Sequence, residues 1–304
     1  MTNCQQEEHA DSGETLSILE AMRRQESTSY KCEDYIARSV LPGSSVEDMQ
    51  TLETNRSKMT QWCMTLVNAC GLNSNTVSIA MSNLDRFLAT DDGLELLGDS
   101  ETFQLACMAS LYSAIKVHEE RAFSPQTLSN ISRGFYSARD METMEFRILQ
   151  ALQWRVNAPT PMSFVNEFLK LIPDYVLNSH YKEHVLSLVR IQTELSVAAY
   201  NFVTIKPSSI GFAALINAMD ILSIKFDIVQ SYILDVKGIT IDTDEVLSIQ
   251  NALYTAVAAT QETIVIQQQQ SNVNTKPLTP STSKHDKSFT ISPRTVCGQA
   301  AQAA

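Results

Sequence analysis

The sequence predicts an all-α protein: two successive helical blocks of about five helices each, led by a short N-terminal helix and followed by a disordered tail. Three observations carry this. Glycine and proline number only nine each in 304 residues, which argues against a sandwich or barrel. Long segments repeat apolar residues at helical spacing. One stretch, Thr102 to Ile115, carries no charge, and Leu105, Ala106, Met108, Ala109, Leu111, Tyr112, Ala114 and Ile115 cover nearly its whole circumference. A helix apolar all round belongs in a core, and this one is shorter than the roughly 20 residues a bilayer needs. It ends abruptly in Lys116, His118, Glu119, Glu120 and Arg121.

Residues 1–13 are polar and acidic, read as disordered, and carry no signal-peptide pattern. A segment over 14–45 follows. TLSILEAMRRQ forms a short amphipathic helix with Leu16, Leu19 and Met22 on one face, and a second short helix spans Cys32–Val40. The first block, 46–157, starts with a long helix from Val46 to Cys70, stopped by Gly71. Asn73-Ser74 can cap the next helix, which turns Val77, Ala80, Met81, Leu84 and Leu88 inward. DDGLELLGDS is a loop or frayed turn before the uncharged helix, and Ser124-Pro125 opens a short one. Arg139–Gln153 is helical, and Trp154–Ala158 is an extended connector. Thr160-Pro161 opens the second block, 158–268, with helices near 161–171, 178–200, 207–223, 226–235 and 242–268. The polar, low-complexity stretch 269–304 reads as a disordered tail.

A net charge of −11 without a basic face argues against direct nucleic-acid binding, and no run is long and apolar enough for a membrane span. The six cysteines are scattered with no CxxC, and read as reduced thiols.

Two charges interrupt apolar stripes. Lys116 is the charged member of the stripe 105, 108, 109, 112, 115, 116, and Glu145 breaks the face of Met141, Met144, Ile148, Leu149 and Leu152. A charge on a buried face needs a partner. Two readings stand side by side. Either Lys116 and Glu145 pair and do nothing else, or they rim an apolar patch of Leu149, Trp154 and Val156 that receives another protein. Arg56 and Asp85 pose the same question one layer earlier, and there a buried pair tying two helices together is favoured.

Motifs for chemistry are weak. His180 and His184 stand at i and i+4, a spacing that suits zinc, but no third ligand is evident, and an exposed helix face is the simpler reading. Asp91, Asp92 and Glu95 resemble an aspartate-rich magnesium motif, yet a second such motif is not found, and capping carboxylates in an acidic loop are favoured. No glycine-rich phosphate loop and no GxSxG occur, so no catalytic residue, metal or cofactor is expected.

RSKMTQW (56–62), LDRFL (84–88), AIKVHEE (114–120) and METMEFRILQALQWRV (141–156) resemble, in order and spacing, the cyclin box of the cyclin family. YNFVTIKPSSIGFAALINAMDIL (200–222) resembles the start of the third helix of a second cyclin repeat. SILEAMRRQESTSY and the junction LQWRVNAPTPMSFVNEFL are most similar to D-type cyclins. The resemblance implies two tandem five-helix cyclin-type bundles and a non-enzymatic regulatory subunit. Such a subunit binds and activates a cyclin-dependent serine/threonine kinase in cell-cycle control, acts towards that kinase's substrates, and works in the nucleus or cytoplasm. The alternative is a cyclin-fold protein acting in transcription or as an adaptor. The resemblance places Lys116, Val117, Glu119, Glu145, Leu149, Trp154 and Val156 at the kinase interface, and makes Arg56–Asp85 the family's buried pair.

Some family features are altered. The substrate-docking patch keeps Met59, Trp62 and Gln104 but has Asn55 and Lys58 where the family has apolar residues, so it is degraded. The retinoblastoma-binding LxCxE motif is absent. Arg38–Leu41 matches a minimal destruction box, and Thr279-Pro280 and Ser292-Pro293 are minimal proline-directed phosphosites.

Overall fold

The computed structural model describes residues 2–39, 46–121, 123–230, 233 and 242–273. Thr279 and Ser292 lie outside them, as does the end of the destruction-box match. Among the described residues there is no strand.

The first bundle is α3 (Val46–Ala69), α4 (Asn75–Leu88), α6 (Ser100–His118), α7 (Pro125–Ile131) and α8 (Ala138–Ala151), and the second is α9 (Pro161–Lys170), α10 (Ser179–Ala198), α11 (Pro207–Ile221), α12 (Phe226–Gln230) and α13 (Thr243–Val273). Two further helices precede the bundles, α1 (Thr2–Ser27) and α2 (Tyr35–Ser39). Each bundle encloses its own apolar cluster.

The uncharged stretch is α6, buried continuously from Ala106 to Ile115 and packed between α4 and α8. Asp99 caps it by accepting from the Glu101 N–H, and the chain leaves it at Glu119 in an extended conformation. Its counterpart is α11, buried over most of its length and crossed by α9, α10 and α13. Gly211 makes that crossing possible: a Cβ there would stand 2.6 Å from the Pro161 carbonyl oxygen.

Local signals act as their chemistry dictates. Gly71 stops α3 at φ +66°, where glycine carries no Cβ penalty. Ser124 and Thr160 each accept a backbone N–H at the start of a helix whose first residue is proline. The cap of α4 differs from expectation: the Ser74 side chain makes no capping bond, and Asn73 Oδ1 accepts from the Asn75 N–H. DDGLELLGDS is more ordered than a loop, forming α5 (Asp91–Leu94) and a 3-10 turn over Glu95–Gly98. Its carboxylates are held by arginines, Asp91 by Arg38 at 2.7 Å and Asp92 by Arg147 at 2.9 Å.

Two boundaries move outward. The backbone of α1 is helical from Thr2, where disorder through residue 13 is expected, and α13 runs to Val273, past residue 268. More consequential is where α1 lands. It packs on α9, and Leu16 and Leu19 enter the core of the second bundle. Glu26 clamps the same contact, its carboxylate accepting from the Ser208 N–H (2.9 Å) and Oγ (2.6 Å) at the start of α11. A carboxylate at a helix N-terminus satisfies donors that have no partner within the helix.

Candidate functional site: a partner interface at the end of α6

Packing of α6 against α8 brings Lys116 and Glu145 together, with Lys116 Nζ 3.0 Å from Oε1 and 3.1 Å from Oε2. Lys116 lies in the last turn of α6, one turn beyond Tyr112, whose ring centroid lies 4.8 Å from Nζ. Burial pushes the Tyr112 hydroxyl up, and Lys116 opposes that shift. Glu145 rises from the buried face of Met141, Met144 and Ile148. The pair is asymmetric: the Lys116 side chain is 41% exposed and that of Glu145 10%. The ion pair therefore stands at an edge, with the carboxylate rooted in the core and the ammonium open to solvent.

Around it lie apolar side chains that the fold leaves uncovered. Val117 is 54% exposed, Phe146 52% and Trp154 63%, while Leu149 is half-buried. The Phe146 and Trp154 rings meet edge to face at 6.4 Å. Trp154 is put there by an unusual backbone. Gln153, expected to end the helix, and Trp154, expected to begin an extended connector, both adopt left-handed conformations, φ 52° and 62°. The Trp154 N–H returns to the Leu149 carbonyl at 2.8 Å, and the Gln153 N–H to Gln150 at 3.0 Å. Left-handed backbone costs a non-glycine residue about 1–2 kcal/mol. Strained backbone that presents a large exposed aromatic points to a functional surface.

Phe146 is the residue missed from the sequence. It lies off the buried stripe of α8, and its signal was an aromatic at a position facing away from the core. Two expected members turn elsewhere. Val156 is half-buried against the first core, and its carbonyl accepts from Asn83 Nδ2 at 3.2 Å. Glu119 Oε1 accepts from the Asn73 N–H and the Thr76 hydroxyl at the start of α4.

The Arg56–Asp85 pair is a different object. Arg56 Nε and Nη2 grip the two Asp85 oxygens at 2.8 and 2.7 Å, with side-chain exposures of 3% and 7%. Tyr35 Oη donates to the same carboxylate at 3.0 Å. Arg56 Nη1 donates to the Val197 carbonyl at 2.8 Å, so one guanidinium joins α3 and α4 to the end of α10. Burial lowers the Arg56 pKa, but attraction to Asp85 outweighs it and holds the cation above its ordinary value. Burial, reinforced by Asp85, pushes the Tyr35 hydroxyl well up. Arg86, next in sequence to Asp85, is buried against the Asn83 side chain (2.6 Å), the Arg155 carbonyl (2.8 Å) and the Tyr30 ring, and burial brings its pKa down to about 10.

The residues expected to form a degraded docking patch are buried. Met59, Trp62 and Gln104 are 0%, 5% and 5% exposed and belong to the interior of the first bundle, where Tyr136 Oη faces Gln104 Oε1 at 3.4 Å. His180 and His184 stand on an exposed face of α10 with their Nε2 atoms 3.2 Å apart.

Two tandem helical bundles with a charged, apolar-rimmed edge on the first define a double cyclin-box protein. Family models for the cyclin N-terminal and C-terminal domains match residues 17–157 and 159–291. The chain belongs to the cyclin family. It is 27% identical over 170 residues to the G2/mitotic-specific cyclin-2 of Saccharomyces cerevisiae, covering 55% of this chain and 31% of that protein. To Cyclin-D4-2 of Arabidopsis thaliana it is 31% identical over 138 residues, covering 45% of each. To Cyclin-D3-3 of the same plant it is 27% identical over 174 residues, covering 57% of this chain and 46% of the relative. It thus spans between 31% and 46% of the length of these relatives. The fold is similar to that of a viral cyclin from herpesvirus saimiri, with a TM-score of 0.54 and 16% identity, over 67% of this chain and 86% of that one.

Proposed function

We propose that this chain is a regulatory subunit that binds and activates a cyclin-dependent serine/threonine kinase in cell-cycle control, itself performing no catalysis. The observation that carries the reading is the edge at the end of α6. A charge pair anchored in the core stands beside Val117, Phe146, Leu149 and Trp154, a large apolar area with polar groups at its margin. Such a mixture is the anatomy of a specific protein interface, with aromatic residues as anchors. Activation is a population shift. The interface binds the kinase conformation whose mobile helix is swung in and whose Lys–Glu ion pair is formed, and differential affinity moves the equilibrium towards it. Lys116 and Glu145 would bind backbone or charged groups of that helix region. Such a subunit works in the nucleus or cytoplasm.

The test is capture of candidate cyclin-dependent kinases by the purified chain, followed by an activity assay on the eluate. Wild-type protein is expected to capture and activate a kinase. Lys116→Ala, Glu145→Ala and Trp154→Ala are expected to lose both while remaining folded by circular dichroism. Capture unaffected by all three substitutions would overturn the assigned interface. Capture of no kinase would replace this reading with a transcriptional or adaptor role.

A further inference from the structure

Away from the α6 edge, a cavity of about 400 Å³ opens where the end of α1, the face of α4 and the start of the second bundle meet. Its size falls in the range of sites that take one small ligand, roughly 300–1,000 Å³. Its apolar lining includes Met81, Phe202, Ile205 and Ile210, with Pro159, Pro161 and Pro207.

The polar groups facing it are unequal in what they have left to offer. Both carboxylates are engaged, Glu26 by Ser208 and Asp85 by Arg56 and Tyr35. Arg56 is engaged in turn by Asp85 and the Val197 carbonyl. Lys31 and Lys206 also line the cavity, both exposed, and among the described residues neither ammonium forms an ion pair or a hydrogen bond. Ser78 and Ser82 stand one turn apart on α4, so their half-buried hydroxyls share a face. Neither makes a hydrogen bond among the described residues. The capacity left in the cavity is therefore two hydroxyls and two ammonium groups over an apolar floor, Lys206 also attracting the Glu26 carboxylate. In a chain of net charge −11, a cavity whose three cations, Lys31, Arg56 and Lys206, outnumber its two carboxylates, Glu26 and Asp85, is a local excess of positive charge.

We propose that this cavity binds a small organic anion, an apolar body about the size of a fused aromatic pair bearing a carboxylate. The apolar body fills the floor against Met81 and Phe202. The carboxylate accepts from Ser78 or Ser82 and is neutralised by Lys31 and Lys206. Because the walls come from α1, α4 and the second bundle, an occupant bridges all three, and binding to the folded state alone raises thermal stability with ligand concentration.

The probe is 2-naphthaleneacetate, titrated into the full chain by calorimetry and followed by thermal shift, with neutral 2-naphthaleneacetamide as control. The acid is expected to bind at least about ten-fold more tightly than the amide, and the double variant Lys31→Gln/Lys206→Gln to lose that preference. Neither lysine belongs to the α6 edge, so kinase capture by the double variant is expected to match wild type, which separates this test from that of the proposed function. Ser82→Phe is expected to fill the cavity and abolish binding. Should that variant fold poorly, the lysine pair still decides the matter. Equal affinity for acid and amide, an acid preference that survives loss of both lysines, or displacement of the probe by a short acidic peptide at lower concentration would each overturn the proposal.

Discussion

Arg56–Asp85 and Lys116–Glu145 join neighbouring helices of the same bundle with the same kind of ion pair, and their surroundings are opposite. The first is closed. Both side chains are below a tenth exposed, the guanidinium is bidentate, and Tyr35 and the Val197 carbonyl complete the shell. The second is open on its cationic side, and its neighbours are uncovered apolar groups. A closed pair holds the fold together because removing one member strands the other in a dry interior. An open pair contributes little to stability and keeps its charges available. Charge pairing alone does not distinguish structure from function; what completes the shell does.

The largest expected effect tests the closed pair. Arg56→Ala leaves Asp85 buried without its cation and is expected to destabilise the protein by about 3–5 kcal/mol, read as a shift in urea midpoint. A loss below about 1 kcal/mol would erase the contrast with the open pair. Next comes Trp154→Ala. Kinase capture is expected to weaken by at least about thirty-fold, the cost of removing an aromatic anchor, with stability within about 0.5 kcal/mol of wild type because the side chain is exposed. Lys116→Ala leaves Glu145, a tenth exposed, without its cation and is expected to cost about 1–3 kcal/mol, less than Arg56→Ala, while abolishing capture in protein that stays folded.

Two smaller effects sharpen the picture. Gln153→Gly relieves a left-handed residue and is expected to gain about 0.5–1 kcal/mol, after the entropy glycine loses on folding. Glu26 is a buried carboxylate whose shell is hydroxyl and backbone N–H, with no ion pair. Burial raises its pKa above 4.5, and the Ser208 hydrogen bonds only partly oppose this. The folded state therefore holds more protons than the unfolded chain just above pH 4.5, and this contribution to stability fades as pH rises through the folded-state value. Wild type compared with Glu26→Gln is expected to lose relative stability across that window in thermal unfolding at stepped pH, and a flat difference would remove the assignment.

Much of this was legible in the sequence, for local reasons. An uncharged circumference marks a buried helix, so α6 was readable. Lys116 and Glu145 were readable because each interrupts an apolar stripe, and a charge on a buried face needs a partner. Ser124-Pro125 and Thr160-Pro161 were readable because capping chemistry is confined to a few residues. Phe146 was hidden, since an apolar residue off the stripe is ordinary until its exposure is known. Val156 and Glu119 were readable as positions only; packing sets the Val156 side chain against the first core and binds the Glu119 carboxylate to the start of α4. Met59, Trp62 and Gln104 kept their residue types while packing closed over them.

By itself, then, the sequence determined the all-α class, the two bundles, the helix that forms the spine of the first and the pairs of charges that had to meet. Periodicity and capping are properties of neighbouring residues, and a linear pattern records them. Only the tertiary structure decided that α1 docks on the second bundle through Glu26 and Ser208, 182 positions apart. It alone decided that Trp154 stands out of a left-handed turn, and that a cavity lined by Lys31 and Lys206 opens where α1, α4 and the second bundle meet. Those features depend on which surfaces face each other after packing, and no local pattern encodes that.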